Sequence, residues 1–208
     1  MLAEYAEKNG AERVAITAFE AAAVANPKSR QAQQGRLRIA YSARDTKRVH
    51  TLLQEMLKIW PNDTAIQNDE AYIHLLLING GTTSVSSQTP ASNPLPSANS
   101  ELPSSSEAEA VNAIVKLAEK MVRDEPASLP HRTLLALALL KQNRAQDALA
   151  VYANLKVPSN AVSASAVAVH ASVLAAAGRK DEARAEIAKV PSNRLLPEEA
   201  MMVLPLRG

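Results

Sequence analysis

Apolar and small residues along much of this chain recur at intervals of four and then three residues. Val49, Leu53 and Met56 show this spacing, which places all three on one face of an α-helix. Sets with the same spacing begin at Ala15, Ile114, Ala148 and Ala183. We see no useful length of period-two alternation, so the pattern predicts helices and no sheet.

Short polar turns precede several of these helical segments and separate each from an earlier one. They read Lys8-Asn9-Gly10, Ala43-Arg44-Asp45, Lys141-Gln142-Asn143 and Ala177-Gly178-Arg179. Asn and Gly suit the left-handed backbone at a helix C-terminus. We therefore predict a series of helix–turn–helix units.

The units follow a fixed period. Pro27 and Pro61 lie 34 residues apart, and each follows the last helical position of its unit. Proline stops a helix because it cannot donate a backbone hydrogen bond and restricts the residue before it. A period in this range predicts a stacked repeat protein, an architecture that builds extended binding surfaces.

The residues within the period resemble the tetratricopeptide (TPR) family. The small, large apolar, small and proline positions of that family's second helix are matched by Ala15, Phe19, Ala22 and Pro27, with Gly10 in the turn. Later units match it less completely, through Ala136, Ala148, Tyr152, Ala171, Gly178 and Ala183. The family's first-helix tryptophan is missing, and Trp60 lies beside Pro61 instead. The resemblance implies an all-α fold: a right-handed α-solenoid of about five TPR-like helix–turn–helix repeats with a C-terminal capping helix.

The register divides the chain into one solenoid of five repeats and a cap. Their approximate bounds are 1–29 (truncated), 30–63, 64–128, 129–158, 159–192 and, for the cap, 197–205. Repeat three is interrupted at about 79–106 by a Ser/Pro-rich segment, which we predict to be disordered because it holds too few apolar residues to offset its ordering entropy. Helix resumes at Ser106 with a capping-box pattern. We expect the cap to cover the end of repeat five. The short first helix, roughly Leu2–Asn9, indicates either missing upstream repeats or a natural start with a short cap.

The composition limits the kinds of partner that are expected but does not indicate a specific function. Apolar residues make up 47% of the chain and aromatic residues only 3%, the net charge is +2, and there is no cysteine. This balance favours neither nucleic acid nor an anionic membrane as partner. No apolar run is long enough to span a bilayer. The N-terminus lacks a signal-peptide pattern, and we expect a soluble protein, with the cytoplasm as the favoured compartment.

We find no motif for catalysis, for a cofactor or for a metal. The four histidines, His50, His74, His131 and His170, form neither HxxxH nor HExxH. Glycine motifs for phosphate binding and the GxSxG motif are also missing. We therefore predict no catalytic residue, no cofactor and no metal site, and no enzymatic activity.

A basic run is the main charged feature. The segment from Lys28 to Arg48 contains seven Lys and Arg residues and only one acidic residue, Asp45. One interpretation is a site for an acidic peptide, RNA or anionic lipid. The favoured one is a solvated face balanced by acids elsewhere, since no aromatic residues are interleaved for nucleic acid.

The TPR resemblance also implies a ligand groove, because first helices of TPR repeats line a concave surface. Carried onto this register, the candidates are Gln34, Arg38, Tyr41, Asn68, Tyr72, Thr133, Leu137 and Lys141. Arg38, Asn68 and Lys141 are candidates for holding a carboxylate. The Lys/Asn set of chaperone-binding TPR clamps is not reproduced here.

We therefore predict a protein–protein interaction module or scaffold that binds a peptide or partner helix in this groove. Two alternatives stay open. The chain could be the C-terminal helper region of a longer enzyme, secretion or assembly protein, or a structural array that self-associates through its exposed repeat ends.

Overall fold

The computed structural model describes residues 9–78, 105–155 and 162–208. Within these ranges the chain is helical and has no strand, which confirms the predicted all-α class. Most of the predicted first helix, Leu2–Asn9, and of the predicted insertion at 79–106 lies outside the described residues.

Ten α-helices and two short 3-10 helices make up the described structure. The α-helices are α1 (Glu12–Ala25), α2 (Arg30–Ser42), α3 (Thr46–Ile59), α4 (Thr64–Leu77), α5 (Ser105–Asp124), α6 (Leu129–Lys141), α7 (Ala145–Ala150), α8 (Ala164–Ala176), α9 (Lys180–Ile187) and α10 (Pro197–Val203). The 3-10 helices are Ser192–Arg194 and Leu204–Leu206.

Local sequence accounts for where several helices begin. The side chains of Ser29, Asp45, Asp63 and Ser163 accept hydrogen bonds from backbone N–H groups in the first turns of α2, α3, α4 and α8. These caps satisfy amide groups that have no partner inside the helix. Pro197 opens α10, where its missing N–H costs nothing.

Local sequence also accounts for where they end. Helices α1, α3 and α5 stop two residues before Pro27, Pro61 and Pro126, as the proline pattern predicts. Gly10, Asn143 and Gly178 have positive φ in the predicted turns, and so does Arg44. Helix α7 is shorter than its repeat predicts, since it gives way to a turn at Val151. There the Arg132 guanidinium donates to the Val151 carbonyl.

The helices pack in two ways. Except across the gap between α4 and α5, neighbours from α1 to α9 pack closely against each other along the chain. In addition, α4 contacts α6, α6 contacts α8, and α8 contacts α10. These alternate helices therefore form one row, and the helices between them lie to the side.

A single large core runs along this row. It is built from buried residues of α3, α4, α5 and α6, with contributions from α2, α7 and α8. A second cluster joins α8 and α9 to the C-terminal segment, and a small third cluster holds Ala15 and Phe19 of α1. The large apolar residues Phe19, Leu53 and Ile187 are buried, and Leu57 and Tyr152 are half-buried. Leu155 is only half-buried because it follows the turn that ends α7.

Candidate interaction surface

Four of the predicted groove residues come together. Tyr41 of α2, Asn68 and Tyr72 of α4, and Thr133 of α6 line one cavity of about 220 Å³. Asp69, Pro130, Ser163, Ser165, Ala166 and Leu129 complete its wall, together with Leu196 from the C-terminal segment. Residues far apart in sequence thus share one surface formed by alternate helices.

The C-terminal segment lies against this surface through a buried carboxylate. Glu199 of α10 is 0% exposed. Its Oε1 accepts a hydrogen bond from the Tyr72 hydroxyl at 2.7 Å, and its Oε2 accepts one from the Leu196 backbone N–H at 2.8 Å. Burial, and next the negative charge of Glu199, raise the pKa of Tyr72. The tyrosine therefore stays a neutral donor to the carboxylate.

Two further contacts join the same segment to the turn between α2 and α3 and to the first residue of α3. Arg44 Nε donates to the Leu195 carbonyl at 2.7 Å, and Thr46 Oγ1 donates to Glu198 Oε2. The C-terminal helix α10 begins at Pro197. It packs on α8 and also reaches α4 and the α2–α3 turn, because polar partners there match its carbonyl and carboxylate groups.

Two other predicted groove residues have structural roles. Leu137 is fully buried in the main core, so its side chain is not available to a ligand. Lys141 is partly buried, and its Nζ donates to the Ile78 carbonyl at 2.9 Å, at the end of α4. Burial lowers the pKa of Lys141. Lys141 therefore binds the carbonyl at the end of α4. It does not join Arg38 and Asn68 in the predicted carboxylate site.

The last two candidates lie on the exposed side of α2. Gln34 and Arg38 are exposed, one turn apart, and Tyr41 follows them as a partly exposed residue. The Arg38 guanidinium lies 5.7 Å from the centre of the Phe19 ring of α1. Of these three residues only Tyr41 lines the cavity, and Gln34 and Arg38 lie seven and three residues before it on α2.

Acids from other elements pair with three of the seven basic residues of the run, Arg30, Arg36 and Arg48. The pairs are Arg30–Asp63 at 2.7 Å, Arg36–Glu20 and Arg36–Glu55 at 2.9 Å, and Arg48–Glu20 at 2.6 Å. Arg44 also serves the C-terminal segment, as described above. Part of the basic run is therefore balanced by acids, and the side chain of Arg36 is only 10% exposed.

Sequence reasoning missed two arrangements of histidine. His170 of α8 and Glu186 of α9 approach to 2.8 Å beside a cavity of about 480 Å³ lined mostly by apolar residues of α6 to α9 and the turns after α7. His50 of α3 meets Glu70 and His74 of α4. In the sequence, only the four-residue spacing of Glu70 and His74 could have indicated either arrangement. The other residues that meet lie on different helices, so their sequence spacing does not show that they are close.

Comparison with known proteins adds no assignment: no protein-family model, no curated protein and no solved structure matches this chain. Across the described ranges, none of the helices combines the length and the apolar character needed to cross a bilayer.

Proposed function

We propose that this chain is a TPR-like α-solenoid whose alternate helices α2, α4, α6 and α8 form a concave face that binds a peptide or partner helix. The observation that carries the proposal is the shared cavity. Tyr41, Asn68, Tyr72 and Thr133 come from three alternate helices and were chosen from the repeat register alone, and they line one surface. Such a face, built from one helix of each pair, is what stacked hairpins provide for extended ligands.

The chain's own C-terminal segment supplies a guide to ligand chemistry. It contacts this face through the apolar side chain of Leu196 and the carboxylate of Glu199. The same features are common in extended peptides and amphipathic helices. A ligand with apolar and acidic residues therefore matches the chemistry of the face.

Because the C-terminal segment covers the part near Tyr72, we place the ligand on the adjoining stretch of α2. Gln34, Arg38 and Tyr41 are at least partly exposed there. Arginine and tyrosine contribute strongly to many protein interfaces, because they combine a large contact area with hydrogen bonding. The protein itself then acts as a scaffold and performs no chemistry.

Site-specific photo-cross-linking in lysate of the source cells tests the proposal. One variant carries the photoreactive residue at Arg38 on α2, and a control carries it at Lys120 on α5, which is 69% exposed and pairs only locally with Asp124 in the structure. We expect a discrete cross-linked protein at position 38 and none at position 120. Adding Tyr41→Ala to the position 38 variant should reduce that product.

Two results would contradict the proposal. Equal products at both positions would show non-specific contact. A product at position 120 alone would move the interface to the outer helices. Circular dichroism of each variant confirms that the helices are intact before the products are compared.

A second function, self-association through the ends of the array, is favoured by a specific observation. Apolar side chains are exposed at both ends: Val14, Ile16 and Val24 on α1, and Met201 and Leu204 at the C-terminal end. Exposed apolar patches often mark interaction surfaces. If the ends pair between copies, the mass in solution exceeds that of one chain and falls when Val24 and Met201 are replaced by serine. A monomer at all concentrations tested rules this alternative out.

A further inference from the structure

Three side chains of metal-ligand type meet between α3 and α4. His50 Nε2 lies 3.1 Å from Glu70 Oε1. One ligand atom from each of His50, Glu70 and His74 lies within 4.8 Å of the other two. In the part of the chain that the structure describes, no other group of three His, Cys, Asp or Glu residues meets this condition.

The two helices hold these groups in place. Glu70 and His74 are four residues apart on α4 and therefore share one face. Helix α3 packs against α4 and presents His50 to that face. All three residues are half-buried, with side-chain exposures of 19% for His50 and 18% for Glu70. The ligand atoms are therefore sheltered, yet an ion can still reach them from solvent.

The spacing of the rings fits a shared ion. The centroids of His50 and His74 are 5.3 Å apart, with the ring planes tilted by 39°. Two imidazoles bound to one tetrahedral ion at about 2.0–2.1 Å place their centroids roughly 5 Å apart. Small side-chain rotations would then bring the carboxylate of Glu70 to the same ion.

We propose that His50, Glu70 and His74 form a binding site for a divalent transition-metal ion, with Zn²⁺ as the best match. Two imidazole nitrogens and one carboxylate oxygen are ligands that Zn²⁺ accepts in a tetrahedral site. The fourth coordination position would be filled by water or by the Gln54 side chain. The Gln54 amide nitrogen lies 3.3 Å from His50 Nε2, and rotation of the amide would place its oxygen there instead. The ion would link α3 to α4.

The alternative is that His50 and Glu70 form a simple ion pair, and the chain contains a matched control for it. His170 Nδ1 and Glu186 Oε2 lie 2.8 Å apart and form a second His–Glu pair between neighbouring helices. Their neighbouring ring is Tyr152, at 4.6 Å between centroids, where the first cluster has a second histidine. A His–Glu pair with no third ligand should bind Zn²⁺ much more weakly.

Calorimetric titration of the metal-free full chain with Zn²⁺ tests the proposal. We expect saturable binding of one ion per chain. Co²⁺ in place of Zn²⁺ should give the intense visible absorption of tetrahedral coordination. Zn²⁺ should also raise Tm by several degrees, because an ion that binds only the folded state stabilises it.

Single variants assign the ligands. His50→Ala, His74→Ala and the conservative Glu70→Gln should each weaken Zn²⁺ binding by more than about tenfold. They should also abolish the Tm increase, while His170→Ala leaves both unchanged. Glu70→Gln keeps the size and polarity of the side chain, so it remains informative if a histidine variant fails to fold.

Two results would overturn the site. Absence of saturable Zn²⁺ binding to the wild-type chain would leave only the ion pair. An equal loss of affinity in His170→Ala and His74→Ala would show adventitious binding to surface histidines. Neither result bears on the concave face, whose test uses Arg38 and Tyr41.

Discussion

The two ends of the helical array are held in different ways. At the N-terminal end, α1 is 14 residues long, yet it contributes only Ala15 and Phe19 to a small separate cluster. At the C-terminal end, α10 is 7 residues long, yet the segment around it buries Leu195, Glu199 and Val203 almost completely. The short helix is therefore the more deeply packed of the two.

The polar contacts of the two ends also differ, and they favour the firmer attachment of the C-terminal end. Helix α1 is held by Glu20, whose side chain is 38% exposed and forms ion pairs with the largely buried Arg36 and the exposed Arg48. Exposed ion pairs contribute little to stability, because water competes for both partners. The C-terminal segment is held to α4 by the hydrogen bond from the Tyr72 hydroxyl to the buried Glu199, which also accepts from the Leu196 N–H inside the segment. Removing one partner of a buried bond leaves the other unsatisfied, which is costly. Helix length is thus a poor guide to how firmly an end is attached.

The largest expected effect is that of Glu199→Ala. It leaves the Tyr72 hydroxyl and the Leu196 N–H without their acceptor, and we expect the free energy of unfolding to fall by about 2–5 kcal/mol. Urea denaturation followed by circular dichroism measures the change. Glu182→Ala, which removes an exposed carboxylate paired with Arg179, is the control and should match wild type. A loss equally small for Glu199→Ala would mean that the C-terminal segment is not anchored as described.

A matched pair of valines compares the two ends directly. Val203 of α10 is 0% exposed and Val24 of α1 is 80% exposed. Val203→Ala should cost roughly 2 kcal/mol, because it removes buried methyl groups and leaves a cavity. Val24→Ala should change stability by less than about 0.5 kcal/mol. Thermal melting of both variants tests this, and equal costs would contradict the difference between the ends.

Gly35 tests the attachment of α1. An alanine Cβ at this position would lie 2.3 Å from the Phe19 ring, so the backbone of α2 depends on glycine to let α1 approach. Glycine to alanine in a helix normally stabilises by about 0.5–1 kcal/mol, but here we expect a loss of about 1–3 kcal/mol from overpacking.

A double-mutant cycle attributes that loss to the clash. In a Phe19→Ala background, Gly35→Ala should become neutral or stabilising, because the ring that opposes the new methyl group is gone. Denaturation of the four proteins gives the coupling energy. A coupling near zero would show that α1 does not pack on α2 through this contact.

The smallest effect concerns Asp63, which lies between the two ends. It caps α4 through the amides of Ala65 and Ile66 and pairs with Arg30 of α2. Asp63→Ala should cost about 1–2 kcal/mol at pH 7. The control Asp45→Ala removes a cap that accepts from Arg48 N–H, and it should cost no more.

The contribution of Asp63 depends on pH. The hydrogen bond from Arg30, followed by those from Ile66 and Ala65, lowers the pKa of Asp63 in the folded state. The stabilisation is therefore complete above the pKa of the unfolded chain and disappears as pH falls through the folded value. Unfolding free energies of wild type and Asp63→Ala should converge in acid. A difference independent of pH would mean that the carboxylate charge is not involved.

Much of the fold could be predicted from local pattern. Proline spacing located the ends of α1, α3 and α5, and Asn or Gly located the turns at Gly10, Asn143 and Gly178. These features depend on a few neighbouring residues. The short α7 was not predicted, because it ends where Arg132 of another helix contacts the Val151 carbonyl.

The candidate surface was harder to predict, because it too depends on contacts between helices that are distant in sequence. The repeat register named Tyr41, Asn68, Tyr72 and Thr133, which share a cavity. It could not show that Leu137 is buried or that Lys141 serves the end of α4. It also missed Glu199 and the His50 cluster, since both depend on contacts between helices. Sequence periodicity indicates which face of a helix points inward, but not which distant segment meets it.

The central claim is that the C-terminal segment is an integral part of the fold, packed against α4 and α8. Native-state hydrogen exchange read by mass spectrometry tests it directly, because protection reports the free energy of local opening. We predict that amides of α10 are protected nearly as well as those of α8 and that amides of α1 exchange much faster. Glu199→Ala should lower the protection of α10 more than that of any other helix. Exchange of α10 as fast as that of α1 in the wild-type chain would contradict the account.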